Sequence, residues 1–429
     1  MNHYCFYVAA ALLSFQDISA MEPAVDSCFN SFSERCLPAE VVCSEDPVLS
    51  ASSPDEESDM YVYRGKGRRN DERSLFEEVT DIKKKTDAFN LYLNMQGDFN
   101  LLWRGNTFDE GKFRMKQLRI EMTGQINDWL SYRYRQRLNK GDDPGGYRDN
   151  VLGSIDYAAI GITLGKWELF LGKQCAAYGG IDFNLNPIEV LENTAITDYM
   201  SNFMTGIKVS YNFTPAQQLQ FQVLNSLVGS SESMYGNWEK SKMPLLYTIN
   251  WDGNFNNFYK TKWSASLMNE TKGKNLTYFA LGNEFNFTDN FGAFLDWAYT
   301  RQAVDRMGLV TTMVCPEGHE YNTTNVDYMS GIFHIHYRFH PAWNVFAKAI
   351  YDYSGIYKSH DGLEKGTYCN SWGYLGGIEY YPFKDRTLHF FAAYIGRSYN
   401  YTARAKVFGN KDYCTNSLSV GFIWQMPVF

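Results

Sequence analysis

The chain has 429 residues, of which 17% are aromatic, with a formal net charge of -8 and a mean hydropathy of -0.39. The acidic balance disfavours a nucleic-acid partner, and no run of about 18 apolar residues is present to form a transmembrane helix. A soluble protein of two or three domains would fit the length, but it would not need so many aromatic residues at strand ends.

The N-terminal segment has the pattern of an exported protein. An apolar stretch over 6–15 precedes Ile18-Ser-Ala20, a small-residue cleavage site, so residues 1–20 are predicted to be a signal peptide. Residues 21–88 are predicted to be a linker, because serine and acidic residues concentrate at 43–59. A short amphipathic helix that caps or tethers the entrance of the next domain is predicted from four apolar residues with helical spacing: Leu75, Phe76, Val79 and Ile82.

Residues 89–429 alternate apolar and polar side chains in short segments. In 89–101 most odd positions are apolar and most even positions are polar. Because successive side chains of a strand point to opposite faces, each segment is predicted to be a strand with one apolar and one polar face. The predicted strands, about sixteen in number, lie near 89–103, 113–126, 129–139, 151–164, 166–174, 203–213, 217–226, 244–252, 259–269, 277–287, 291–301, 326–338, 343–353, 371–382, 387–399 and 416–427.

The connections between these strands alternate between short and long. The short ones carry turn-forming residues, as in Thr214-Pro-Ala216 and Thr288-Asp-Asn290. Aromatic residues flank both strand ends, where their amphipathic rings suit a membrane interface. An even strand number with short turns on one side and long loops on the other predicts an all-β fold, a transmembrane antiparallel β-barrel of about 16 strands in the outer membrane of a Gram-negative bacterium. The predicted long loops are 140–150, 175–202, 227–243, 302–325, 354–370 and 400–415.

Three stretches give the chain a family resemblance. Trp129–Leu138 (WLSYRYRQRL), Gly172–Gly180 (GKQCAAYGG) and Asn184–Pro187 (NLNP) resemble porins of the phosphate-selective porin O/P family, in its Bacteroidetes branch. The resemblance implies a sixteen-stranded diffusion pore that assembles as a homotrimer. The C-terminal Phe429 fits this family, whereas the apolar face of the last strand is displaced from the expected positions to Leu418, Val420, Phe422 and Trp424.

If the apolar face contacts lipid, the polar face lines the lumen. Arg133, Arg135 and Arg137 lie two residues apart on one strand, about 6.6 Å from one to the next. Such a row of cations lowers the barrier for anions. Six more basic residues are predicted to face the lumen: Arg119, Lys208, Lys260, Lys262, Arg338 and Lys348. The alternative is that these charges only balance lumen carboxylates, namely Glu121, Asp156, Asp296 and Asp352.

The loop over 175–202 is acidic and follows the fifth predicted strand. The resemblance implies that it folds into the barrel and forms a constriction. Acids opposite an arginine row would produce a transverse field, which disfavours strict phosphate specificity. The alternative is an outward loop or a subunit contact. Its four acidic residues are Asp182, Glu189, Glu192 and Asp198.

These features together predict a porin, a passive diffusion channel for small hydrophilic solutes or ions that prefers anions. Its partners would be outer-membrane lipid and small hydrophilic or anionic solutes, and no cofactor is expected. No catalytic motif is present, and His334, His336 and His340 lack further metal ligands, so neither an enzyme nor a metal site is predicted. The alternative function is a non-transporting barrel that acts as an adhesin or structural anchor through its long loops.

Three cysteines are predicted to lie in long loops: Cys315, Cys369 and Cys414. An oxidising compartment could pair two of them, and free thiols are the alternative.

Overall fold

The structure, a computed structural model, describes residues 73–83, 86–140, 151–226, 235, 238–315, 321–384 and 386–429. The predicted signal peptide and most of the predicted linker lie outside the described residues. None of the helices in the described ranges has the length and apolarity needed to span a bilayer.

The described chain forms a closed antiparallel barrel of sixteen strands. Each strand pairs with its neighbours in sequence, and the first pairs with the last, which closes the sheet. The strands are β1 Asn90–Arg104, β2 Thr107–Asn127, β3 Leu130–Arg137, β4 Ile155–Leu164, β5 Trp167–Cys175, β6 Phe203–Thr214, β7 Gln217–Asn225 and β8 Lys240–Phe255. They continue with β9 Tyr259–Thr271, β10 Lys274–Thr288, β11 Phe291–Val304, β12 Thr324–His340, β13 Trp343–Ile356, β14 Gly366–Tyr380, β15 His389–Tyr401 and β16 Tyr413–Pro427. The predicted fold class and strand number are confirmed.

The predicted separation of apolar and polar faces is present in most strands. On β1, Asn94 and Gln96 are buried inside the barrel, whereas Phe99 on the opposite face is 38% exposed. On β16, Val420 is 51% exposed and Ser419 is buried. The prediction that the apolar face of the last strand lies at the displaced positions is therefore confirmed.

Two of the outer connections are much shorter than the alternation of short and long loops predicts. β1 and β2 are joined by Gly105 and Asn106, and β9 and β10 by Lys272 and Gly273. Both glycines have positive φ, 60° and 72°, as tight two-residue hairpins require. These two connections are not among the six predicted long loops, and the structure makes both of them tight turns.

Two cysteines lie elsewhere than predicted. Cys369 belongs to β14 and Cys414 to β16, with β15 between them, and Cys315 follows a short helix in the loop after β11. Among the described residues these three are free thiols. Strand residues on non-adjacent strands cannot reach each other for a disulfide without backbone movement.

The predicted amphipathic helix is α1, Leu75–Thr80, and it lies where β16 ends. A reciprocal capping box between Ser74 and Glu77 starts the helix. The backbone N–H of Phe76 donates to the carbonyl of Val428 at 3.1 Å, and its ring centroid lies 4.8 Å from that of Phe429. The helix is therefore fastened to the C-terminal end of the barrel.

The barrel wall has unequal height. β3, β4 and β5 have 8, 10 and 9 residues, whereas β12 has 17. Within the described ranges, short helices also lie in the loops between strands: α2 Ala195–Tyr199, α3 Leu309–Val314 and α4 Ala403–Lys406.

Candidate pore and its lining

The loop between β5 and β6 lies inside the barrel and follows the inner face from β7 to β15. The backbone N–H of Ala177 donates to Gln222 of β7 at 2.7 Å, and that of Asp182 donates to Asp296 of β11 at 2.7 Å. Farther along, Glu192 pairs with Arg397 of β15 at 3.0 Å. The structure therefore places all four predicted loop acids within the barrel.

The loop backbone lies directly against β10 at Gly282. A Cβ atom at Gly282 of β10 would lie 2.7 Å from Cα of Gly180 and 2.8 Å from N of Ile181. Gly180 itself has φ of 84°, which L side chains rarely adopt. Only glycine at 282 allows the loop backbone to lie this close to the sheet.

The loop acids contact groups of β13, of β15 and of the loop itself rather than the predicted arginine row. Asp182 pairs with Lys348 at 2.7 Å, and both side chains are nearly inaccessible to solvent. Glu189 lies 3.6 Å from His389. Asp198 accepts from the amide of Asn193, and burial raises the pKa of Asp198 above its usual value. The contacts of Asp182 and Glu189 anchor the loop on β13 and β15.

A buried apolar cluster fills the outer half of the barrel on the side of β6 to β14. Tyr178 and Met200 of the β5–β6 loop pack there with Val310 of α3 against Leu246 and Met268 of the wall. The sequence pattern did not predict this cluster, in which Leu246 and Met268 occupy inward positions that are polar elsewhere. Apolar residues on both faces of β8 to β10 were the available signal.

The predicted arginine row faces the lumen but is paired with carboxylates. Arg133 donates to Glu121 from two nitrogens, at 2.8 and 3.0 Å. Arg135 and Arg119 donate from Nε to the same oxygen, Oδ2 of Asp156, at 3.0 and 2.9 Å. One carboxylate therefore pairs with two guanidinium groups, which leaves one positive charge unbalanced.

A β-bulge positions this shared carboxylate. The register between β3 and β4 shifts after Arg135, so that Arg135 pairs with Tyr157 and Gln136 with Ile155. Asp156 is the extra residue, and it joins Tyr157 on the lumen side. Strict alternation would have placed these two neighbours on opposite faces.

The remaining predicted cations also have contacts. Lys260 pairs with Glu284 at 3.1 Å and Lys262 with Asp252 at 2.8 Å. The other three contact rings or neutral groups: Lys208 lies over the Phe170 ring, Arg338 over the Tyr381 ring, and Arg137 donates to Asn139. Charge balancing, the alternative considered for these residues, fits at least six of them, which pair with carboxylates: Arg119, Arg133, Arg135, Lys260, Lys262 and Lys348.

Two lumen cations were missed because β2 also contains a bulge. The β1–β2 register shifts between Gln96 and Gly97, whose partners are Gln117 and Met115, so the inward positions change parity there. Arg114 then pairs with Asp98 at 2.5 Å, and Nζ of Lys116 donates to the carbonyl of Leu191 in the loop. A parity test that starts from one end of β2 cannot detect this change.

Charge is consequently unequal across the lumen of the described residues. The wall of β1 to β4 carries six cations and three carboxylates: Arg114, Lys116, Arg119, Arg133, Arg135 and Arg137, with Asp98, Glu121 and Asp156. The loop and β11 to β15 are mainly acidic: Asp182, Glu189, Glu192, Asp198, Asp296 and Asp352, with Arg338, Lys348 and Arg397. The polar route thus has a cationic wall and an acidic one.

Comparisons with known proteins agree with this architecture. The profile of the phosphate-selective porin O and P family matches residues 89–426. The structure of the outer-membrane channel DcaP of Acinetobacter baumannii is similar, with 14% identity, a TM-score of 0.53, and 78% of this chain and 96% of that chain covered. An anion-selective porin from Comamonas acidovorans gives 9% identity, a TM-score of 0.50, and coverage of 78% and 98%.

At such identities the structural matches show the fold alone, and no curated protein sequence matches the chain significantly. The family match extends over almost the whole barrel and does not depend on those structures. The chain therefore belongs to the phosphate-selective porin O and P family and is an outer-membrane porin, a passive diffusion channel of a Gram-negative bacterium.

Proposed function

We propose that this porin prefers small hydrophilic anions, and that the wall of β1 to β4 is responsible. The observation that carries the proposal is the excess of cations there, six against three carboxylates, with Asp156 shared by two arginines. Fixed positive charge along a narrow aqueous route raises the local concentration of anions and lowers that of cations. The acidic loop across the lumen favours dipolar anions over strict selection of one inorganic ion.

The size of the effect of one charge follows from Coulomb's law. A unit charge about 5 Å from the ion path contributes roughly 0.8 kcal/mol in water, and screening at 0.1 M salt lowers this to roughly 0.5 kcal/mol. That energy changes the local concentration of each ion about twofold. Because the anion and the cation change in opposite directions, one added or removed charge should change their permeability ratio about fourfold to fivefold.

The test is the reversal potential of the purified porin in a potassium chloride gradient across a planar bilayer. The native protein should prefer chloride, Arg119→Gln should weaken that preference, and Asp156→Asn should strengthen it. Lys272→Gln is the matched control, because Lys272 is an exposed cation in the outer β9–β10 turn, paired with Glu239. A cation preference in the native protein, or equal shifts in the control, would contradict the proposal.

The alternative function, an adhesin or structural anchor that does not transport, gives the opposite result in the same bilayer. A steady open current that scales with salt concentration supports a pore. A membrane that stays closed after insertion of folded protein would favour the adhesin.

We also propose that the porin is a homotrimer with β3 to β5 at the subunit contact. A strand needs about 9 to 11 residues to cross the membrane, and β3 has only 8. A neighbouring copy would cover the backbone beyond its ends.

The test is disulfide trapping between copies. Ile160→Cys, on the outward face of β4, should yield cross-linked copies, whereas Leu281→Cys on β10 should not. The two native side chains are similarly exposed, at 44% and 40%. A monomeric mass of the detergent-solubilised porin would overturn the proposal.

A further inference from the structure

Three aromatic rings form a continuous strip on the wall of β4 to β6. The ring centroids of Phe203 and Tyr157 lie 5.6 Å apart, and those of Tyr157 and Phe170 lie 6.4 Å apart. Both pairs are edge-to-face, an arrangement that favours contact between aromatic groups. Phe203 and Phe170 are partly exposed, so the strip has accessible ring surface.

Cations lie along this strip. The guanidinium carbon of Arg135 is 4.8 Å from the centroid of Tyr157 and 5.5 Å from that of Phe203. Arg133 covers Tyr157 at 4.1 Å, and Lys208 lies 5.6 Å from the Phe170 ring. The strip therefore offers flat apolar surface and positive charge in the same place.

Arg135 has hydrogen-bond donors that the described residues leave open. Its Nε donates to Asp156, whereas its two terminal nitrogens donate to no acceptor within the described part of the chain. The side chain is only 6% exposed. By contrast, Arg119 uses a terminal nitrogen to reach Gln117. Both terminal nitrogens keep some accessible surface, so a solute in the lumen can reach them. A guanidinium fork matches the two oxygens of a carboxylate.

We propose that Arg135 and the strip of Phe203, Tyr157 and Phe170 form a binding subsite for organic anions that carry a planar ring, with aromatic carboxylates as the chemical class. The carboxylate binds the terminal nitrogens of Arg135, and the ring lies against Phe203 and Tyr157. This assignment rests on the proposed anion preference and names the solutes that the preference serves. An inorganic anion would gain the guanidinium contact but nothing from the rings.

The test compares small anions as blockers of the chloride current through the whole porin in a planar bilayer. Benzoate, cyclohexanecarboxylate, acetate and inorganic phosphate carry negative charge, but only benzoate has a flat aromatic ring. Benzoate should block at a concentration about 2- to 10-fold lower than cyclohexanecarboxylate, the range expected for one aromatic contact. Equal block by these two acids, or stronger block by phosphate, would overturn the assignment.

Variants separate the ring contribution from the charge. Phe203→Leu and Phe170→Leu should each reduce the benzoate advantage while the chloride-to-potassium reversal potential stays unchanged. Arg135→Gln should weaken block by all carboxylates. The matched control is Phe213→Leu. Phe213 also belongs to β6, but it lies at the other end of the strand, beside the β6–β7 turn, and is 51% exposed. Heat-modified gel mobility and an unchanged open current establish that each variant forms a barrel.

The outcomes distinguish this inference from the proposed function. If the native porin shows no preference for chloride over potassium, the proposed function fails. If the native porin prefers chloride but benzoate blocks the Phe203→Leu variant at the same concentration as the native protein, the proposed function stands and the aromatic subsite is wrong.

Discussion

The contact between Gly282 and the inward loop provides a sharp test of how the loop is held. In Gly282→Ala the new methyl would lie 2.7 Å from Cα of Gly180, whereas ordinary contacts begin at 3.4 Å, so the loop must move by about 0.7 Å. Overpacking of this kind costs about 1–3 kcal/mol. The displaced segment includes Asp182, whose 2.7 Å ion pair with Lys348 is almost fully enclosed. The loop should therefore become less well anchored.

The assay is equilibrium unfolding of the refolded barrel in urea, combined with single-channel recording. Gly282→Ala should lower the free energy of unfolding by about 1–3 kcal/mol and increase the frequency of brief current closures. Gly331→Ala is the matched control, because the nearest heavy atom to its new Cβ, the carbonyl oxygen of Asp296, is 4.0 Å away. Unfolding energies and current traces that do not differ between the two variants would refute the close-approach argument.

Three further predictions address other parts of the barrel. Burial raises the pKa of Asp198, so its carboxylate should become neutral at a higher pH than that of an ordinary aspartate. Acidification should therefore increase the anion preference in reversal-potential measurements, and Asp198→Asn should reduce this response. Met268→Ala should lower the free energy of unfolding in detergent by about 2–5 kcal/mol, because Met268 is fully buried in the apolar cluster. Leu267 lies on the lipid-facing side of β9 and is 42% exposed, so Leu267→Ala should lower the free energy of unfolding clearly less. Ser74→Ala should weaken the docking of α1 by about 1 kcal/mol and speed hydrogen exchange at the Phe76 amide, with exchange of amides in β8 as the unaffected reference.

Local alternation was sufficient to predict the barrel because lipid and water impose it on most of the strands. Residues such as Phe279 on β10 and Val420 on β16 face outward as the pattern requires. The same alternation could not locate the outer turns at Gly105 and Gly273, since two-residue hairpins depend on glycine with positive φ rather than on hydrophobic period.

The candidate site was harder to predict because it depends on register and on contacts far apart in sequence. The bulges near Lys116 and Asp156 each reverse the parity of a strand, and one residue is enough to do so. The pairing of Asp182 with Lys348 joins positions that only the folded barrel brings together. Sequence could identify the arginines of β3 as inward-facing, but not that Asp156 would serve two of the cations.

The fastening of α1 to Val428 imposes an order on biogenesis. The acceptor carbonyl belongs to Val428, directly after β16, and the carbonyl of Phe429 accepts from the N–H of Leu91 at 3.1 Å. Both partners follow β16 in the chain and lie beside the seam between the first and last strands of the barrel. Docking of the helix is therefore a late event, which can occur only in molecules whose final strand has been made and has found its place.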